Sequence, residues 1–177
     1  GKKVVRLHDG DPCLYGAISE QICILNDEGI DVEIIPGVSA YQATAATLGF
    51  ELTIPDLTQT IILSRADGMT GKPEQESLER LAAIQSSLCL YLSARHVEEV
   101  QSILINYYPA NTPVAIAHRI TWPDEWVKVI PLNEMAKTSK EKKLIRTTLY
   151  IISPTLKIGS NRSNLYNPKY SHLFRPS

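Results

Sequence analysis

Residues 7–16 read "LHDGDPCLYG". The apolar run Val4-Val5-Arg6-Leu7 stops there at Asp, Gly, Asp and Pro, and a helical pattern follows at once. Val4 to Leu7 is short, β-branched and bounded by turn residues, which predicts a buried strand. The next stretch, residues 16–28, predicts a helix, with Ile18, Ile22 and Leu25 on one face and Gly29 as the stop. Val32-Glu33-Ile34-Ile35 predicts a second strand, closed by Pro36-Gly37. Residues 39–47 are alanine-rich and helical, with Ser39 as N-cap and Gly49 as stop. Strand, helix, strand, helix with short loops is the rhythm of a parallel sheet covered by helices. The corner at residues 9–12 then lies at the carboxyl end of a strand, where open α/β sheets bind ligands. Pro36-Gly37-Val38-Ser39-Ala40 repeats that geometry. Two such corners on adjacent strands would share one crevice. Turn chemistry alone is the competing reading, because Asp, Gly and Pro fill turns everywhere.

The chain has 177 residues, enough for one large domain or parts of two. Apolar residues make up 44% and charged residues 21%, as in ordinary globular proteins. A net charge of -1 gives no general pull toward nucleic acid or an anionic membrane. No apolar run approaches the ~20 residues of a membrane span, and the N-terminus lacks a signal-peptide layout. Cys13, Cys23 and Cys89 follow no metal-ligand spacing, so no metal site is expected. Free thiols and a cytoplasmic location are the expectation.

Beyond the first corner pair, "FELTIPDLTQ" (residues 50–59) contains Pro55 and no periodicity, which predicts a domain boundary. The predicted division is an N-terminal part at 1–50, a linker at 51–59 and a C-terminal α/β domain at 60–177. In that domain strands are predicted at 60–63, 88–92 and 113–117. "EWVKVIPL" from Glu125 predicts a partner for the third of these, and 149–152 the last strand. Helices are predicted near Pro73 through Ala82, over Val97–Leu104 and over 132–143. "SRADGMTGKPE" (64–74) reads as a flap loop. Tyr166, Tyr170 and Phe174 are candidate anchors in a polar tail.

A helix N-terminus after Gly16 invites an anion, but Asp9 and Asp11 bring negative charge of their own. That weakens a phosphate reading. A neutral or cationic ligand that offers hydroxyls and amines suits the corner better. Neither the lysine-bearing phosphate loop nor the dinucleotide glycine fingerprint is present.

Four stretches in order, "RLHDGDPCLYGAISEQ", "IIPGVSA", "LTIPDLTQTIILSRADG" and "TPVAIAHRITWPDE", resemble the tetrapyrrole (corrin/porphyrin) methyltransferase family. The likeness is collinear from Gly1 to about Arg175. The GDP and PGVSA corners are shared across that family. "LTIPDLTQT" and the segment Arg119–Glu125 are similar to the branch that methylates C11 of precorrin-4 or cobalt-precorrin-4 in cobalamin biosynthesis. The resemblance implies two α/β domains, the N-terminal one incomplete here, around S-adenosylmethionine, and a homodimer. It implies cofactor contacts at Asp9, Gly10, Asp11, Leu14, Tyr15, Gly16, Ser39 and Ala40. In the C-terminal domain it implies them at Leu92, His118, Arg119, Ile120, Thr148 and Leu149. The macrocycle carries many carboxylates, and arginine binds these in two places at once, which makes Arg65 and Arg119 the candidate substrate residues. Trp122 is a candidate stacking surface. No residue is singled out as catalytic base. His8, Asp9, Asp11 and Tyr15 are near enough to test, each with a turn or packing role as the alternative.

Members of that family open with a glycine-rich loop and further strand–helix units before the strand equivalent to Val4–Leu7. Their relatives also commonly carry a basic residue where this chain has Met69. A truncated gene model, a fragment, or two separately encoded halves each account for the late start. The expectation is weak or no methyl transfer by this chain alone. Two other readings stay open: methylation of another corrin or porphyrin carbon, or of diphthamide, and a non-catalytic remnant that serves as a dimerisation module.

Overall fold

The computed structural model describes residues 1–66 and 71–156. Met69 in the flap loop and the tail aromatics Tyr166, Tyr170 and Phe174 therefore lie outside the described residues. The chain divides into two compact units, Gly1–Ala43 and Thr44–Ser177.

The first unit is built on helices and corners. Helix α1 spans Ser19–Asp27 and helix α2 spans Ala40–Leu48, which runs across the unit boundary. Both end as their glycines dictate. Gly29 (φ 68°) donates its N–H to Asn26 O, and Ile30 N–H reaches Leu25 O. Gly49 (φ 64°) and Phe50 repeat this pair of bonds on Ala46 and Ala45. These are the two bonds of a Schellman cap, whose left-handed residue glycine adopts without a Cβ clash. Helix α1 starts later than its periodicity predicts because Ala17 sits at φ 49°, which no right-handed helix admits. At α2, Gln42 Oε1 accepts from the N–H of Ser39, one half of a capping box.

The two strands predicted in this unit are not formed. Val4–Leu7 and Val32–Ile35 have no ladder among the described residues, and Val4, Val5, Leu7 and Ile35 are 66–89% exposed. A strand exists only where another strand takes up its backbone N–H and C=O groups, and neither segment pairs with one.

The second unit holds a five-stranded mixed sheet in the order β1-β2-β5-β3-β4. The strands are β1 Ile61–Arg65, β2 Ser87–Tyr91, β3 Pro113–His118, β4 Trp126–Pro131 and β5 Thr148–Ile152. Strands β1 and β2 run parallel, joined through helix α3 (Leu78–Ala83). Strand β5 is antiparallel to both of its neighbours, β2 and β3, and β4 is antiparallel to β3. The three inner strands read as near-continuous apolar runs because both of their faces are buried. On one face Leu88, Leu90, Val114, Ile116, Tyr150 and Ile152 pack with α3, with α4 (Val97–Leu104) and with α5 (Met135–Glu141). The edge strand β4 leaves Lys128 exposed, a charge that discourages edge-to-edge pairing.

Within 51–59 the chain makes a compact turn. Ile54 and Thr58 form a bridge around Asp56 at φ 62°, and Leu52 is buried. The Ser87 hydroxyl donates to Leu52 O at 2.7 Å and meets the Ser153 hydroxyl at 2.7 Å. That buried bond anchors the turn to β2.

Candidate functional site

In the first unit the two corners touch. Asp11 Oδ1 accepts from the N–H of Cys13 at 2.8 Å, and Asp11 Oδ2 accepts from the N–H of Gly37 at 2.9 Å. These two hydrogen bonds, to Gly37 first and Cys13 second, hold the carboxyl below the usual carboxylate range. The contact tolerates no side chain. A Cβ on Gly37 would collide with the Gly10 carbonyl oxygen, and one on Gly10 (φ 69°) would press on Ser39 Cα at 3.3 Å. A Cβ on Gly16 would run into the Pro12 carbonyl oxygen, which closes the turn begun by the Leu14 N–H to Asp11 O bond. Gly10, Asp11, Gly37, Ser39 and the start of α2 at Ala40 thus form one cluster. Asp9 is exposed beside it, Leu14 is half-buried, and Tyr15 is exposed with φ 57°.

In the second unit the predicted residues gather at one end of the sheet. Strands β1, β2 and β3 end there and β5 begins there, because the register sets Arg65 opposite Tyr91 and His118 opposite Thr148. The Thr148 hydroxyl donates to Arg146 O at 3.0 Å and lies 3.1 Å from His118 Nδ1. A hydroxyl has one proton to donate, and with it on Arg146 O the Thr148 oxygen is placed to accept from His118 Nδ1. Arg119 donates its backbone N–H to Thr147 O. Its guanidinium stacks 4.3 Å from the Trp122 ring centre and pairs with Asp124 at 2.9 Å. Thr121 N–H is taken by Glu125 Oε2, so the segment 119–125 organises itself.

Arg65 donates to the carbonyls of Ala66 and Gly71, across the base of the predicted flap. The Ser93 hydroxyl takes the Ala66 N–H at 2.8 Å and ties the ends of β1 and β2. Leu92 is exposed just past β2, Ile120 is half-buried, and Leu149 is almost wholly buried, so Leu149 can offer a ligand only its main chain.

One feature of this sheet end leaves no mark in the sequence. Leu92, Arg119, Thr121 and Thr147 all have left-handed backbone, at φ 49–70°. Non-glycine residues rarely adopt this, and such strain gathers at functional sites. A composition pattern carries no trace of it, because none of the four is glycine, Asn or Asp.

Residues 1–136 match the family model for tetrapyrrole (corrin/porphyrin) methylases. The chain is 42% identical over 180 residues to the cobalt-precorrin-4 C(11)-methyltransferase of Priestia megaterium, covering 99% of this chain and 70% of that protein. It is 41% identical over 177 residues to the precorrin-4 C(11)-methyltransferase of Pseudomonas aeruginosa, with coverage of 99% and 71%. The X-ray structure of a cobalamin biosynthetic enzyme, cobalt precorrin-4 methyltransferase, superposes with a TM-score of 0.83 at 39% identity. That likeness covers 86% of this chain and 64% of the other. The chain therefore spans roughly two thirds of the length of the relatives it matches, and it belongs to the tetrapyrrole (corrin/porphyrin) methylase family.

Proposed function

We propose that this chain takes part in S-adenosylmethionine-dependent methylation of C11 of precorrin-4 or cobalt-precorrin-4 in cobalamin biosynthesis. The observation that carries the reading is the 42% identity, along almost the whole chain, to a relative that bears that activity in its name.

When bound, S-adenosylmethionine supplies an activated methyl group on a sulfonium. The chain's own residues then have to bind, orient and exclude water, since in-line displacement depends on positioning. The corner cluster suits such a ligand. Its glycines let the corners pack main chain against main chain where any Cβ would clash, and the exposed Asp9 carboxylate suits cationic and hydroxyl groups. We assign the first part of the cofactor site to Asp9, Gly10, Asp11, Leu14, Tyr15, Gly16, Ser39 and Ala40, with the Asp11 carboxylate engaged by the main chain of the corners themselves. Leu92, His118, Arg119, Ile120, Thr148 and Leu149 complete the set, Leu149 through its main chain. Arg65 and Arg119 are the residues assigned to substrate carboxylates. Arg119 exchanges Asp124 for a substrate carboxylate while Trp122 keeps its guanidinium in plane. A homodimer, a cytoplasmic location and a division at 51–59 belong to the same proposal. Sedimentation analysis tests the dimer.

The test of function is transfer of a labelled methyl group from S-adenosylmethionine to cobalt-precorrin-4. It is run with the chain and with a version extended to the length of its relatives. The expected result is label at C11, with the extended version the faster. Label at another carbon, or no transfer by either protein, overturns the reading.

A further inference from the structure

We infer that Asp11 is a positioning residue: its carboxylate is the clasp that sets the spacing of the two cofactor corners, and it makes no contact with the cofactor's charged groups. The inference rests on the cofactor reading above. Both oxygens already have main-chain partners, Oδ1 on Cys13 within its own corner and Oδ2 on Gly37, 26 residues away. On the other side of the same junction, Gly10 and Gly37 meet backbone to backbone with no room for a methyl group. The junction is thus held closed by two hydrogen bonds and kept thin by two glycines. A carboxylate is the side chain that accepts on both oxygens at once. Asparagine of the same shape keeps one acceptor and turns an amide donor against the other N–H. Of the two carboxylates in the corner, Asp9 is the one left to face a ligand. It is exposed, whereas Asp11 is turned onto the backbone.

A clasp and a direct ligand differ in which cofactor fragments notice its loss. S-adenosylhomocysteine carries an amino acid moiety, whereas 5′-methylthioadenosine lacks it. Calorimetry of both against wild type, Asp11→Asn and Gly37→Ala separates the roles. The second variant leaves the carboxylate intact and forces the corners apart sterically, so it stands in should Asp11→Asn fold poorly. A clasp predicts that each variant weakens both ligands by the same factor, about tenfold for one lost charge-assisted bond. A loss confined to S-adenosylhomocysteine in Asp11→Asn, or no loss at all, overturns the inference. Residue-resolved amide exchange is the readout that needs no ligand. The Gly37 and Cys13 N–H groups should exchange about tenfold faster in Asp11→Asn. Should neither ligand bind the wild type or its version extended to the length of its relatives, the cofactor reading fails and the exchange result alone decides. Faster exchange upholds the clasp between corners, and unchanged exchange removes it.

Discussion

The segments Val4–Leu7 and Ile61–Arg65 have much the same composition, yet the second is a strand and the first is not. Both are short, apolar and closed by turn residues. Ile61–Arg65 has Ser87–Tyr91 alongside, in register from end to end, and becomes the edge of a sheet whose inner strands are buried along almost their whole length. Val4–Leu7 has no such neighbour among the described residues, and its side chains stand in solvent. Local pattern states what a segment is able to become, and pairing decides whether it does.

The contrast can be broken most forcefully in the core. Leu88 is wholly buried on β2, whereas Val5 is 80% exposed. Leu88→Ala should cost about 2–5 kcal/mol in urea denaturation, and Val5→Ala no more than about 0.5 kcal/mol. Equal costs would mean that the two segments are packed alike. Next in size is the hydroxyl chain of Ser87, Ser153 and Thr155, buried at the foot of β5. Ser153→Ala strips a partner from both neighbours, and about 1–3 kcal/mol is expected by the same method. In the first unit, Gly16→Ala drives a methyl group into the Pro12 carbonyl. Strain of about 1–3 kcal/mol at that turn should weaken S-adenosylhomocysteine binding while the unfolding midpoint of the sheet stays where it was.

The thiols extend the comparison at the smallest scale. Cys13 and Cys23 are exposed in the first unit, whereas Cys89 is buried in β2. Iodoacetamide should label the first pair in the folded protein and reach Cys89 only on unfolding, as counted by mass spectrometry. Burial pushes the Cys89 thiol up from 9.0 to about 12. Burial does the same to Tyr108, helped by the nearby Cys89, from 10.0 to about 12. A folded-state value above the unfolded one favours the fold while the group is neutral. That stability is whole below about pH 9 and drains as pH rises toward 12. Thermal midpoints measured across that window should fall. A flat profile would contradict the burial of both groups.

Much of the second unit was legible in the sequence, because its strands are short apolar runs between turn residues and the helix Val97–Leu104 carries a clear apolar stripe. The Schellman ends at Gly29 and Gly49 were legible for the same local reason. What was not legible is long-range or conformational. The bond from Asp11 to Gly37 joins residues 26 apart, and no window of sequence contains both partners with their geometry. The left-handed backbone at Leu92, Arg119, Thr121 and Thr147 is imposed by tertiary structure on residues that do not prefer it. The late start of α1 follows from Ala17 in the same way. The corners themselves were readable as corners. That they grip each other through one carboxylate was not.

Calorimetric titration of S-adenosylhomocysteine into the chain tests the central claim most directly, with the version extended to the length of its relatives in parallel. Saturable one-to-one binding by the extended protein is expected, weakened by Gly16→Ala and Gly37→Ala. Absence of binding by both proteins would contradict the assignment of these corners to the cofactor.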